Sequence, residues 1–385
     1  MTAAVVPQAP ADAPSPAIAT RDAAAGDNAA LVALAAACPM AGDVSLCVDR
    51  DPDFFALNRL EGERWRVGVA HAGDETALVG CIATAERRVY LHGRAERTAY
   101  VSDFKVHPAH RGGPVADALA GWARGACRDL GGERVPTTMT ILAGNAPMER
   151  RAAGPRGLPP LARFATLQAW AVPLLWPRRE RVPGVRVESA SGERDLDEMA
   201  ALWSRVAPGR QLAAVLDADA LAAWVARAPG LSPESYLLAR RGDGRLAGFV
   251  GVWDQSSFKR LRVTGYSRRL AAARLAVNAV APLAGAAPLP PAGEPLRSLA
   301  AVHLCVPADA PDVLRALLLR AYALHRGRGW SFLTLGLDAR DPLRAALAGL
   351  AAQPTAVHAY VSTPAGAYDG PPLGALPLHH EVALV

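Results

Sequence analysis

Residues 101–123 change hydrophobic period part-way. Residues 101–106 read as a strand. After the His107-Pro108 turn and a glycine loop at 111–113, apolar residues return at Val115, Leu119, Trp122 and Ala126, the spacing of one buried helix face. Pro114 marks the helix start, where its missing N–H costs nothing. Strand, glycine turn and helix together aim free backbone N–H groups and a helix N-terminus at an anion, most often a phosphate.

The same patterning organises the rest of the chain. Residues 1–26 are Ala/Pro-rich and predict a flexible tail. A helix pattern over 27–40 and a strand over 44–48 follow, then a helix start with Asp51 as N-cap and Pro52 in the first turn. Strand-like runs at 64–70 and 76–84, and a third after a turn at 93–96, predict an antiparallel meander leading into 101–106. Beyond the central helix come a strand at 137–143, a helix at 146–153, a Gly/Pro-rich turn at 154–160 and a strand at 163–171.

Two prolines, a glycine and a charge cluster make 177–184 a linker. The order then recurs: a strand at 185–188, helices at 195–206 and 218–227, and meander strands at 236–239, 246–252 and 261–266. A helix at 268–280, a strand at 300–306, a helix at 311–324, a strand at 332–337, a helix at 342–351 and strands at 357–362 and 381–385 complete it. The pattern predicts two domains, 27–176 and 185–385, built on one plan without a visible residue-level repeat.

The length of 385 residues agrees with two domains, and 51% hydrophobic content supplies a core for each. Arginine is abundant and lysine nearly absent, which reads as base composition. A net charge of +6 without a long basic run excludes a nucleic-acid protein. The five cysteines have neither zinc-type nor disulfide spacing, which fits a reducing cytosol. No secretory leader and no membrane span are read from the sequence, so a cytoplasmic protein without a membrane partner is expected. A homodimer is compatible with it.

The first half, over 43–171, resembles the GNAT superfamily of acyl-CoA-dependent N-acetyltransferases. The matching residues are Val106-His107-Pro108 and then Arg111-Gly112-Gly113-Pro114-Val115-Ala116, placed after a meander. The resemblance implies an α/β fold of α+β type, a mixed, mostly antiparallel twisted sheet flanked by helices, used here in tandem. It implies acetyl-CoA or another acyl-CoA as co-substrate, no metal, and a small amine or amino-acid-like acceptor. Arg111, Gly112, Gly113, Val115 and Ala116 would cradle the pyrophosphate. The backbone of Phe104, Lys105 and Val106 would meet the pantetheine arm, and Asn145 would orient the cofactor.

Pro114 departs from the family pattern, standing where a glycine is usual. The lost N–H is worth about 1.5–3 kcal/mol of charge-assisted hydrogen bonding. Acyl transfer to an amine needs a base and a proton for the leaving thiolate. Asp103 is the candidate base and pairing with Lys105 its structural alternative. The family's tyrosine acid falls on Ala152, which leaves Tyr100 and Tyr90 as substitutes, with ordinary strand positions as their structural alternative. In the second half Ala310, Pro311, Asp312 and Val313 replace the loop, and Asp309 and Asp312 would repel a phosphate. That domain is expected to be structural. The competing readings are a non-catalytic acyl-CoA-binding or assembly module, and an enzyme for longer acyl chains.

Overall fold

The computed structural model describes residues 17–40, 42–73, 77–154 and 159–384. The first half contains β1 (Ile18–Asp22), α1 (Asn28–Ala36), β2 (Val44–Asp49), α2 (Asn58–Glu61), β3 (Trp65–Ala72), β4 (Leu78–Leu91) and β5 (Arg94–Val106). It continues with α3 (Val115–Gly131), β6 (Thr137–Leu142), α4 (Ala146–Ala153) and β7 (Ala162–Pro173). The second half contains β8 (Val185–Ser189), α5 (Glu193–Val206), α6 (Ala218–Arg227), β9 (Tyr236–Arg241), β10 (Leu246–Asp254), β11 (Arg260–Tyr266) and α7 (Arg268–Ala284). It ends with β12 (Pro295–Leu296), β13 (Ser298–Cys305), α8 (Pro311–His325), β14 (Phe332–Asp338) and β15 (Gln353–Ser362).

Twelve strands form one sheet in the order β1-β3-β4-β5-β6-β15-β7-β14-β13-β10-β9-β8. Its pairs are antiparallel except β5–β6 and β13–β14, which are parallel. The last strand of each half has crossed over: β15 pairs with β6 of the first half, and β7 with β14 of the second. A cut at the linker would therefore leave each sheet without its final strand. A second sheet, β12-β11-β2, ties Asp49 of the first half to Arg260 and Arg262 of the second.

Helices cover both faces. On one, α3 buries Val115, Leu119, Ala123 and Cys127 against β4–β6. Each large apolar side chain of this kind contributes roughly 1.5–3 kcal/mol. Glycine lets the helix approach: a Cβ at Gly80 would stand 2.8 Å from Leu119 and 3.0 Å from Val115. The second half repeats the device, since a Cβ at Gly248 would meet Val313 of α8 at 2.8 Å. Here is the residue-level repeat that the sequence conceals. The opposite face carries α1 over β3 and β4, and α5 with α6 over β9, β10 and β13.

Several expectations need correction. The segment expected to be a flexible tail contains β1, which pairs with β3 from Ile18–Ala72 to Asp22–Gly68; residues 1–16 lie outside the described residues. The hairpin turn is His92-Gly93, both at positive φ, and β5 already begins at Arg94. Asp53, not Asp51, caps the first turn after β2, accepting from Phe55 N at 3.0 Å. The expected helix at 342–351 is a 3-10 turn over Pro342–Leu347, and the expected final strand is a 3-10 turn over Val382–Leu384.

Candidate functional site

The β5–β6 ladder runs only from Ala99–Thr137 to Val101–Met139, after which the two strands part. At the apex of the opening, Tyr100 Oη and Thr140 Oγ1 lie 3.1 Å apart. Below it, the turn after β5 leads to Arg111, Gly112, Gly113 and Pro114, all exposed, and to the first turn of α3. Gly112 takes φ +84°, open to glycine at no steric cost. The first N–H groups of α3, including Val115 and Ala116, have no intrahelical acceptor, and the dipole adds positive potential there. This end of the slot suits a phosphate. Pro114 is helical, at φ −74°, and contributes a carbonyl but no N–H.

A β-bulge shapes the other side of β5. The register shifts between Cys81 and Ala83, and Asp103 takes φ +49°. Ser102 and Asp103 are thereby turned to the same face, opposite α3, as bulges commonly re-aim a side chain. Phe104 and Val106 return to the α3 side. The second half repeats the bulge at His303, φ +50°.

Asp103 is held as an anion. Arg50 Nη1 lies 3.2 Å from both its oxygens, Lys105 Nζ donates at 2.6 Å and Asn58 Nδ2 at 3.2 Å. Burial works against the charge, but Arg50 and Lys105 outweigh it and keep the carboxyl far below its ordinary range. A carboxylate so stabilised has little affinity for a proton, so the expected base is poorly suited to that task. The Lys105 side chain is engaged with it and leaves only its backbone to the slot.

Glu61 is better suited. It sits at the end of α2, accepts from Ser102 Oγ at 2.8 Å, and stands 3.9 Å from Arg87. Burial pushes its carboxyl up to about 7, with Arg87 opposing and Asp103 reinforcing the shift. Arg87 also lies 3.6 Å over the Tyr100 ring, and burial raises the Tyr100 hydroxyl to about 12. The second half supplies Lys259, whose Nζ donates to Ala383 O at 2.9 Å; burial chiefly, with Arg50 adding to it, brings its ammonium down to about 7. His380 reaches Tyr100 Oη at 3.4 Å and is kept neutral by burial.

The structure thus brings Tyr100, Asp103, Phe104, Lys105 and Val106 to the slot, with Arg111, Gly112, Gly113, Val115 and Ala116 at its foot. Asn145 is occupied as the N-cap of α4, accepting from Met148 N at 3.4 Å, and Ala152 is buried. Sequence reasoning missed Arg50, Asn58, Glu61, Arg87 and His380. A signal existed: Lys105 and Lys259 are the two lysines of the chain, and both lie in this cluster. Among the described residues no group of three His, Cys, Asp or Glu could hold a metal.

The corresponding slot of the second half is covered. Strands β13 and β14 also part, after Ala300–Thr334. Residues 378–384 cross their mouth: Leu378 N donates to Asp338 at 2.8 Å, and Glu381 accepts from His303 N at 3.0 Å. At the α8 N-terminus Pro311 supplies no N–H, and Asp312 pairs with Arg241, one oxygen 3.1 Å away, in place of the Gly112-Gly113 loop.

The fold recurs in known structures. A GCN5-related N-acetyltransferase from Sphaerobacter thermophilus matches with TM-score 0.55 and 15% identity over 90% of this chain and 96% of its own. A tandem GNAT protein from the clavulanic acid biosynthesis pathway matches with TM-score 0.56 and 15% identity over 92% and 99%. The fold is that of a tandem GNAT protein. Saccharomyces cerevisiae N-myristoyltransferase, solved with bound myristoyl-CoA, matches with TM-score 0.60 and 12% identity over 93% of this chain and 88% of its own. No family sequence model matches the chain, and no curated protein matches it by sequence.

Proposed function

We propose that this tandem GNAT chain is an N-acyltransferase moving an acyl group, acetyl foremost, from acyl-CoA to the amine of a small, amino-acid-like acceptor. The observation that carries the reading is Glu61: a buried carboxyl raised to about 7, oriented by Ser102, beside the bulge that borders an open strand slot. Perturbed carboxyls of this kind concentrate where proton transfer is needed.

Acyl-CoA supplies an activated thioester. The Gly112-Gly113 loop and the α3 N-terminus suit its pyrophosphate, with Arg111 beside them, and the unpaired edge of residues 104–106 suits its amide arm. Glu61 takes the proton from the acceptor ammonium, leaving a neutral amine able to attack. Tyr100 offers its hydroxyl hydrogen to the departing sulfur, with Arg87 over its ring to stabilise the negative charge. Arg50, Arg87, Lys105 and Lys259 outnumber Asp103 and Glu61, which favours an acceptor that also carries a carboxylate.

The test is CoA release from acetyl-CoA and longer acyl-CoAs across a panel of amines and amino acids. The expected result is turnover with at least one carboxylate-bearing amine. Tight acyl-CoA binding without turnover across the panel would instead support the non-catalytic module, which Pro114 already favours.

A further inference from the structure

Helix α7 stands away from the body of the second half with Ala281 as its buried residue. Its inner side is tied down. The Asn278 amide exchanges two hydrogen bonds with the Leu289 backbone, at 2.9 and 2.7 Å, and Arg326 of the loop after α8 donates to Ala284 O at 2.7 Å. Its outer side is apolar and open: Leu275 is 66% exposed and Leu283 89%. Alanines fill the stripe between them, and Arg268 and Arg269 stand in the first turn. Trp176 is 51% exposed, and its carbonyl accepts from Tyr322 at 2.8 Å, one turn of α8 before the arginine that holds the end of α7.

Charge and area together decide what covers this face. Helix α7 carries Arg268, Arg269 and Arg274 and no Asp or Glu, and Arg268 and Arg269 are exposed. Two copies meeting here would oppose like charges. The outer stripe of a helix this long offers roughly 250 Å², well short of the roughly 800 Å² per partner of a stable interface. A basic helix with an apolar face and a flanking tryptophan fits a bilayer surface instead. No described helix is long and apolar enough to cross a membrane. We propose that α7 and Trp176 dock the protein on an anionic lipid bilayer, with α7 lying in the interfacial plane. This departs from the sequence expectation of no membrane partner.

Cosedimentation of the full chain with vesicles tests it, using phosphatidylcholine alone and with roughly one-third phosphatidylglycerol. Binding is expected on the anionic vesicles, weakening as salt rises. The double variant Leu275→Glu/Leu283→Glu should lose at least about ten-fold in partitioning, and Arg268→Gln/Arg269→Gln about five-fold or more. Both should keep the melting temperature and acyl-CoA affinity of the parent. Absence of binding to anionic vesicles at low salt overturns the proposal, as does undiminished binding of the leucine variant. A lipid-indifferent dimer that the leucine substitutions convert to monomer would overturn it too, and give the face to a second copy.

Discussion

Replacing Glu61 by Gln lowers kcat/KM for the best acceptor by about a hundred- to ten-thousand-fold, the usual worth of a positioned base. Because burial holds the carboxyl near 7, the parent rate should climb with pH through that value as Glu61 ionises, and Glu61→Gln should lose this limb. Stability moves the opposite way. A carboxyl whose folded pKa lies above its ordinary 4.5 contributes stability that is fully present below that value and lost as pH rises through about 7. Urea unfolding of Glu61→Gln should therefore show a flatter decline across that window. A variant with near-parent activity at every pH would remove Glu61 from the chemistry.

Asp103→Asn is expected to cost about 3–5 kcal/mol of stability, since it leaves buried Arg50 and Lys105 without their counter-charge. Asparagine tolerates the positive φ at this position as aspartate does, so the substitution isolates the charge from the backbone strain. The sign of the pH effect follows from the depressed pKa. Asp103 contributes above the ordinary carboxylate range, and that contribution is lost as pH falls through its lowered value. Denaturant midpoints at neutral and acidic pH check both statements. A well-folded, inactive Asp103→Asn would restore Asp103 as the base.

How much of this was legible in sequence depended on range. The slot's foot could be read because its determinants are local: Pro114, two glycines and one apolar helix stripe lie between Val101 and Ala126. The strand crossover could not, since nothing in β15 states that its partner will be β6, more than two hundred residues earlier. The proton-handling cluster was hidden for the same reason. Arg50 and Glu61 face Asp103 and Ser102 only because β2 pairs with β11 and α2 packs against α6, with Trp224 donating to Leu60 O at 3.1 Å. Lysine scarcity was visible and was read as base composition alone, when the informative fact was where the two lysines remain.

The second half thus acts on the first through architecture. It holds α2 in place, contributes Lys259 and His380 to the cluster, and closes its own slot with residues 378–384. Under the proposed function, one acyl-CoA site per chain is the expectation from this arrangement. Calorimetric titration of acetyl-CoA into the full chain tests that claim most directly. One equivalent is expected to bind per chain, with Arg111→Ala weakening the affinity about ten-fold or more. Two equivalents, no binding, or an affinity indifferent to Arg111→Ala would contradict it.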